Sequence, residues 1–240
     1  MVNAPPETEK SLVKPVQARR VRSFVLRAGR LTEGQKRALD ELWPVYGVTG
    51  DEGVLEFRKL FSNDHPVILE IGFGNGEATW QMARARPGEN YLGVEVHKPG
   101  VGHLLLRIEE HGIGNLRIAC EDAVEFLQQR VPSGSLAGVR IYFPDPWPKK
   151  RHHKRRIIQA GFIELLADKM QPSGILHLAT DWEPYSEHML EVMHNSHSFE
   201  NLAPEGGTVP KPEWRPVTKY EERGERLGHG VFDLVFRRLA

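Results

Sequence analysis

The sequence predicts an α/β domain with a doubly wound, mostly parallel sheet of about seven strands. Three observations carry this reading. Short apolar runs alternate strictly with helical stretches from residue 67 to about 195. A glycine-rich turn, Gly72-Phe73-Gly74-Asn75-Gly76, joins the first run to the helix after it. Five of the runs end at or just before an acidic residue. Alternation of this kind builds βαβ units with right-handed crossovers, and such sheets bind ligands at the carboxyl ends of their strands.

The elements follow in order. Thr32 can cap a helix running to about Leu42, with Pro44 expected to stop it. Val67-Ile68-Leu69-Glu70-Ile71, bounded by Pro66 and Gly72, reads as a buried parallel strand. A helix over about Glu77–Arg86 leads to a strand at Tyr91–Val96, a helix at Pro99–His111 and a strand at Leu116–Ala119. A helix at Ala123–Arg130, a strand at Val139–Phe143 and an amphipathic helix from Lys154 to Met170 come next. Ile175–Thr180 is the fifth strand and Pro184–His194 a further helix, and strands at Phe199–Leu202 and Val231–Phe236 complete the sheet.

Composition narrows the class. A 240-residue chain that is 40% hydrophobic and 27% charged can build one large core. No apolar run approaches the length of a membrane span, and Met1–Lys10 has no apolar core of a secretion signal, so the expected compartment is the cytoplasm. The single cysteine, Cys120, excludes an intramolecular disulfide and a cysteine-based zinc site. Net charge is zero, which argues against indiscriminate nucleic-acid binding, but the charge is uneven. Lys10–Thr32 contains no acidic residue and six further basic ones between Lys14 and Arg30, and Lys149–Arg156 is Lys or Arg at six of eight positions. Residues 1–30 are therefore expected to form a flexible basic arm, and residues 31–240 a single domain.

The chemistry lies at the strand ends. Glycines at every second position let the backbone turn tightly and approach a ligand. The loop is not the dinucleotide fingerprint: its third glycine comes one residue early, and Glu77 stands where glycine is wanted. Glu70 would repel a pyrophosphate and welcome a cationic amino group, which favours a sulfonium cofactor. Glu95 ends the second strand, where a carboxylate can take ribose hydroxyls. Asp122 can bond an adenine edge, cap the following helix, or do both. Phe143-Pro144-Asp145-Pro146-Trp147-Pro148 presents Asp145 and Trp147 on a frame stiffened by three prolines. The run after it can neutralise phosphates. Adjacent His152 and His153 point apart and have no carboxylate spaced to join them, so no metal is expected. Thr180-Asp181-Trp182-Glu183 and Thr218-Lys219-Tyr220-Glu221 are polar segments expected at the same sheet edge. Asp181 can alternatively cap a helix, and Glu221 can simply lie on the surface.

Taken together, these residues resemble the bacterial tRNA (guanine-N7)-methyltransferases over about residues 55–240. The resemblance rests on Leu69–Gly76, Gly93–Val96, Phe143–His152, Ala179–Trp182 and Thr218–Arg223. It implies a Rossmann-like class I methyltransferase fold that uses S-adenosyl-L-methionine and releases S-adenosyl-L-homocysteine. It implies transfer of a methyl group to N7 of guanosine 46, in the tRNA variable loop. It further implies cofactor contacts from Glu70, Gly72, Gly74, Gly76, Glu95, Asp122 and Asp145, with Asp145 catalytic. Substrate contacts are implied for Lys149, Asp181, Thr218, Lys219, Tyr220 and Glu221, and RNA contacts for Lys150, Arg151, His152, His153, Lys154 and Arg155. The protein is expected to be a monomer or homodimer with tRNA as partner and no membrane.

Guanine N7 carries a lone pair and no proton, so attack on a methyl group needs no base. Asp145 is therefore expected to orient the guanine and stabilise the charge that develops on it. Trp147 or Tyr220 can stack on the base. Other readings are a methyltransferase acting on another RNA base, a small molecule or a protein, which would not need the basic run, and a non-catalytic RNA-binding module.

Overall fold

A computed structural model describes residues 23–24, 29–48, 53–217, 221 and 230–240. Val67–Ile71 (β1) and Asn90–Val94 (β2) are buried at every position, which is why they read as continuous apolar runs and not as alternating ones. Leu116–Ala119 (β3), Leu136–Tyr142 (β4), Met170–Thr180 (β5), Phe199–Asn201 (β6) and Phe232–Arg238 (β7) complete one sheet, in the order β3-β2-β1-β4-β5-β7-β6. β1 to β5 are mutually parallel, and β7 inserts antiparallel between β5 and β6.

Helices cover both faces. One face packs Leu69, Val139, Leu176 and Leu234 against Ala123–Arg130 (α6), Ala160–Lys169 (α7) and Glu183–His194 (α8). The other packs Ile68, Tyr91 and Leu116 against Glu33–Glu41 (α1), Glu77–Ala85 (α4) and Lys98–His111 (α5). On that second face, the sheet carries Arg140, Tyr142, His177 and Asp233 over β4, β5 and β7. Trp214 and Arg215 cover this polar half in place of a helix.

The first helix is capped by Thr32 and ends near Leu42 as expected, but the chain becomes helical again across Pro44. α1 closes at Glu41, and Pro44 sits in the first turn of a second short helix, Trp43–Tyr46 (α2), where its missing N–H costs nothing. The helix expected from Lys154 to Met170 starts only at Ala160. Lys150–Arg155 instead forms a 3-10 turn, and the chain then runs extended. Arg156 turns inward, buried, to donate to the Pro146 carbonyl at 2.9 Å and to lie 4.8 Å from the Tyr185 ring. Ile158 is buried next to it, and its N–H reaches the Tyr185 hydroxyl. A continuous helix could not turn both inward at this spacing. Phe57–Phe61 (α3) precedes β1 and was not expected.

Candidate active site

β1 is flanked by β2 and β4, so the chain winds outward from it in both directions. A crevice opens at the carboxyl ends of β1 and β4, the position where doubly wound sheets bind ligands. A cleft of about 650 Å³ occupies it, a size suited to a small molecule. Glu70, Gly72 and Gly74 line it from β1 and its loop, Glu95 from the end of β2, and Tyr142, Phe143 and Asp145 from the end of β4 and the loop after it.

The three loop glycines do different work. All have positive φ, near 74°, 60° and 76° for Gly72, Gly74 and Gly76, a region that side chains disfavour. A Cβ at Gly72 or Gly74 would meet no atom within 4 Å, so their bareness leaves the cleft open. A Cβ at Gly76 would lie 2.6 Å from Leu104, and Gly76 does not line the cleft. It is the left-handed cap of α4, and its missing Cβ makes room for Leu104. Gly100, which sequence reasoning missed, abuts this loop: a Cβ there would come within 1.9 Å of the Gly74 carbonyl.

Glu70 is 3% exposed, and its Oε2 has no hydrogen-bond partner among the described residues. Burial pushes its carboxyl up to about 7, against the pull of Thr79 and Arg140 beside it and with a small push from Glu95. Glu95 already accepts three backbone N–H groups, from Val96 and His97 on Oε1 and from Gly74 on Oε2. A carboxylate has lone pairs to spare beyond these, so a role toward a ligand remains open to it. Asp122 caps α6, with Oδ1 taking the N–H groups of Val124 and Glu125, and it is Ala123 and Val124 that line the cleft there.

The proline frame is more constrained than the sequence indicated. Phe143 and Trp147 both hold positive φ, near 51° and 44°, so strained residues bracket Asp145 on each side. The Phe143 N–H bonds the Ala179 carbonyl at 2.8 Å, which fixes the loop to the end of β5. Asp145 is exposed on the cleft wall. Trp147 is already engaged. Its indole N–H donates to the Ser23 carbonyl at 3.1 Å, Arg155 lies 4.0 Å from its ring centre, and His152 meets its edge. Arg155 thus covers the ring from one side. Ser23 and Phe24 themselves line the cleft, and the rest of the arm to residue 28 lies outside the described residues.

The basic run splits in the same way. Lys149, Lys150, Arg151 and Lys154 are exposed and His152 and His153 half-buried. Arg155 is half-buried, bonding the Phe24 carbonyl as well as covering Trp147. Among the described residues, no group of three His, Cys, Asp or Glu side chains could hold a metal ion, and no helix is long and apolar enough to cross a membrane.

Residues 64–234 match a family described as "Putative methyltransferase". A tRNA (guanine-N(7)-)-methyltransferase of Alcanivorax borkumensis is 54% identical over 98% of this chain and 96% of its own. One from Cronobacter sakazakii is 56% identical, covering 92% of each chain. The chain belongs to the tRNA (guanine-N(7)-)-methyltransferase family. Among solved structures, the fold is similar to a 16S rRNA (adenine(1408)-N(1))-methyltransferase from Catenulisporales acidiphilia, with TM-score 0.54 and 17% identity over 77% of this chain and 90% of that one. The aminoglycoside resistance methyltransferase NpmB1 gives TM-score 0.51 at 15% identity, over 77% and 92%.

In this methyltransferase Asp181 and Glu221, both expected on the substrate side, sit in different settings. Thr218, Lys219 and Tyr220 lie outside the described residues. Asp181 is half-buried just past β5 and does not cap α8, whose N-cap is Trp182 with no side-chain bond. Glu221 is not on the surface: it is 4% exposed and paired through both oxygens with Arg215, at 2.7 and 3.0 Å. Sequence reasoning missed the cluster behind it. His177 Nε2 meets Asp233 at 2.7 Å, while its Nδ1 lies 3.0 Å from the Tyr142 hydroxyl and takes the Trp214 indole N–H at 3.1 Å. Burial holds His177 down at about 4, despite the pull of Asp233. The only signal in the sequence was polar residues set inside otherwise apolar strands.

Proposed function

We propose that the protein transfers the methyl group of S-adenosyl-L-methionine to N7 of guanosine 46 in the tRNA variable loop, leaving S-adenosyl-L-homocysteine. The carrying observation is that Glu70, Glu95 and Asp145 meet around one cleft beside the bare Gly72–Gly74 backbone. A set of carboxylates with a buried, unpartnered Glu70 oxygen suits a cationic ligand and opposes a phosphate. Glu70 and the Gly72 backbone would hold the amino-acid end, Glu95 the ribose, and Asp122 with the start of α6 the adenine. When bound, the cofactor supplies an electrophilic methyl group.

The chain's own residues supply the rest. Asp145, on its strained frame, orients the guanine by its N–H edge and stabilises the positive charge that methylation leaves on the purine. No residue needs to remove a proton, since N7 has none. The target base must leave its stack, at about a few kcal/mol. Lys150, Arg151, His152, His153, Lys154 and Arg155 attract the tRNA backbone, Lys149, Asp181, Thr218, Lys219 and Tyr220 would contact the substrate, and Glu221 would support them from its pairing with Arg215. In this reading residues 31–240 form the catalytic domain, and residues 1–30 an arm whose Ser23 and Phe24 reach the cleft. On this reading the enzyme meets its tRNA in the cytoplasm.

The test is incubation with unmodified tRNA and labelled cofactor, followed by nucleoside mass spectrometry and mapping of the site. Label in 7-methylguanosine at position 46 is expected, and label in another base overturns the reading. Asp145→Asn should lower the turnover rate by about 10²-fold, with cofactor affinity falling far less. Full activity in that variant would remove Asp145 from its assigned role.

A further inference from the structure

Arg215 is among the largest fully buried side chains of the protein, and its guanidinium reaches in two directions. Nη1 and Nη2 grip both oxygens of Glu221, while Nε and Nη2 grip both oxygens of Asp233 on β7, at 2.7 and 2.9 Å. Asp233 in turn holds His177 on β5, and His177 holds the hydroxyl of Tyr142, the last residue of β4. Arg215 also lies 5.8 Å from the ring centre of Phe143, two residues before Asp145. A continuous chain of directional contacts therefore runs from Glu221, through Arg215, to the root of the Asp145 loop.

We infer that Arg215 is a positioning residue for tRNA methylation, setting Glu221 and the Asp145 loop in register with one another. The inference rests on the function proposed above. Stability alone does not explain the cluster. Desolvating a guanidinium and two carboxylates costs several kcal/mol per ion, and well-packed apolar side chains of like volume do as well or better. What two-pronged carboxylate pairing adds is direction, because the planar fork fixes angle as well as distance. The electrostatics agree with the geometry. Burial works against both charges, yet Glu221 and Asp233 hold Arg215 above its ordinary value, and His177 and Arg215 hold Asp233 below the usual carboxylate range. Glu221 thus acts through its place in this network, and its carboxylate is engaged before any substrate arrives.

The test uses the full-length protein with Arg215→Lys, which keeps the charge and loses the fork, and Asp233→Asn, which keeps the shape and loses the ion pair. For each, kcat and KM for tRNA, cofactor affinity by calorimetry, and Tm are measured. The expected result is a 10- to 100-fold loss of kcat/KM for tRNA, carried mainly by kcat, with cofactor affinity within threefold of the wild type. Arg215→Lys should also cost much less in an Asp145→Asn background than alone, which a merely structural residue would not show. Wild-type kinetics in both variants overturn the inference. So does activity that falls only in step with the folded fraction. If Arg215→Lys does not fold, Asp233→Asn carries the same expectations alone. Wild-type protein that makes no 7-methylguanosine removes the functional reading, and the inference falls with it; an active wild type with unaffected variants removes the inference only.

Discussion

Glu95 Oε2 accepts the N–H of Gly74 at 2.9 Å, so the carboxylate that ends β2 holds the glycine loop that leaves β1. Its other oxygen closes the turn at Val96 and His97. One side chain therefore shapes two walls of the cleft. Hydrogen bonds to a charged acceptor contribute about 1.5–3 kcal/mol each. Glu95→Ala should weaken cofactor binding by about 10- to 100-fold and lower Tm by several degrees, read by calorimetry and thermal melting. An unchanged affinity would show that the loop holds its shape without it.

Glu70 and His177 should give stability opposite dependences on pH. Glu70 titrates near 7 when folded, against an ordinary value of 4.5, so the folded state binds its proton more tightly. Its contribution to stability falls as pH rises from about 4.5 to 7. Without cofactor, Glu70→Gln should be more stable than wild type above pH 7, by up to about 3 kcal/mol at about 1.4 kcal/mol per pKa unit, and should lose that advantage below pH 4.5. His177 titrates near 4 when folded, against 6.5, so its neutral form supports the fold. That support is complete above pH 6.5 and is lost as pH falls toward 4. His177→Gln should remove this acid-side slope. Denaturant unfolding at pH 4.5, 5.5, 7 and 8 separates the two.

Gly76→Ala and Gly72→Ala should fail in different ways. Both add strain of about 1–2 kcal/mol by forcing an L side chain to positive φ. Gly76→Ala also drives a methyl group into Leu104, so it should lower Tm the more, while Gly72→Ala projects into open space and should chiefly reduce cofactor affinity. Melting and calorimetry on the two variants compare the effects directly, and equal losses of Tm would contradict the packing role of Gly76.

The exposed cations of the 3-10 turn should set the salt dependence of tRNA affinity. Substituting Lys150, Arg151 or Lys154 with Ala should each reduce the slope of log affinity against log salt by about one. Arg155→Ala should do more than this, because it also uncovers Trp147 and releases the Phe24 carbonyl. Filter binding over a salt series checks both, and a slope unchanged in all four variants would move the tRNA surface elsewhere.

The fold was legible where one physical signal dominated. Buried strands such as Val67–Ile71 announce themselves as apolar runs, and the Gly72–Gly76 turn marks the switch between strand and helix. The cleft's carboxylates were legible because each sits where a strand must stop. Long-range pairing was not. Glu221 was open to a surface reading because its partner Arg215 gives no local sign of turning inward, and Asp233 sits in an apolar strand whose neighbours are known only from the sheet order. The break before Ala160 was not legible in the amphipathic pattern, because the burial of Arg156 beneath Pro146 depends on a contact ten residues back. The hydrogen bond from Trp147 to Ser23 was not legible because the two residues lie 124 positions apart.

The antiparallel insertion of β7 imposes an order on assembly. β1, β2 and β3 pair across connections of about twenty residues, so the half of the sheet that carries Glu70 and Glu95 can close early. β5 meets β7 only after more than fifty residues have been laid out between them, and β6, at the edge of the sheet, has β7 as its one neighbouring strand among the described residues. Pairings of such sequence separation form slowly. Asp233 arrives with β7, so the anchor for Arg215 comes into being only at that late step. The pocket for a small ligand can therefore mature ahead of the surface that receives the nucleic acid, and a chain stalled between the two stages would bind the former while remaining unable to act on the latter.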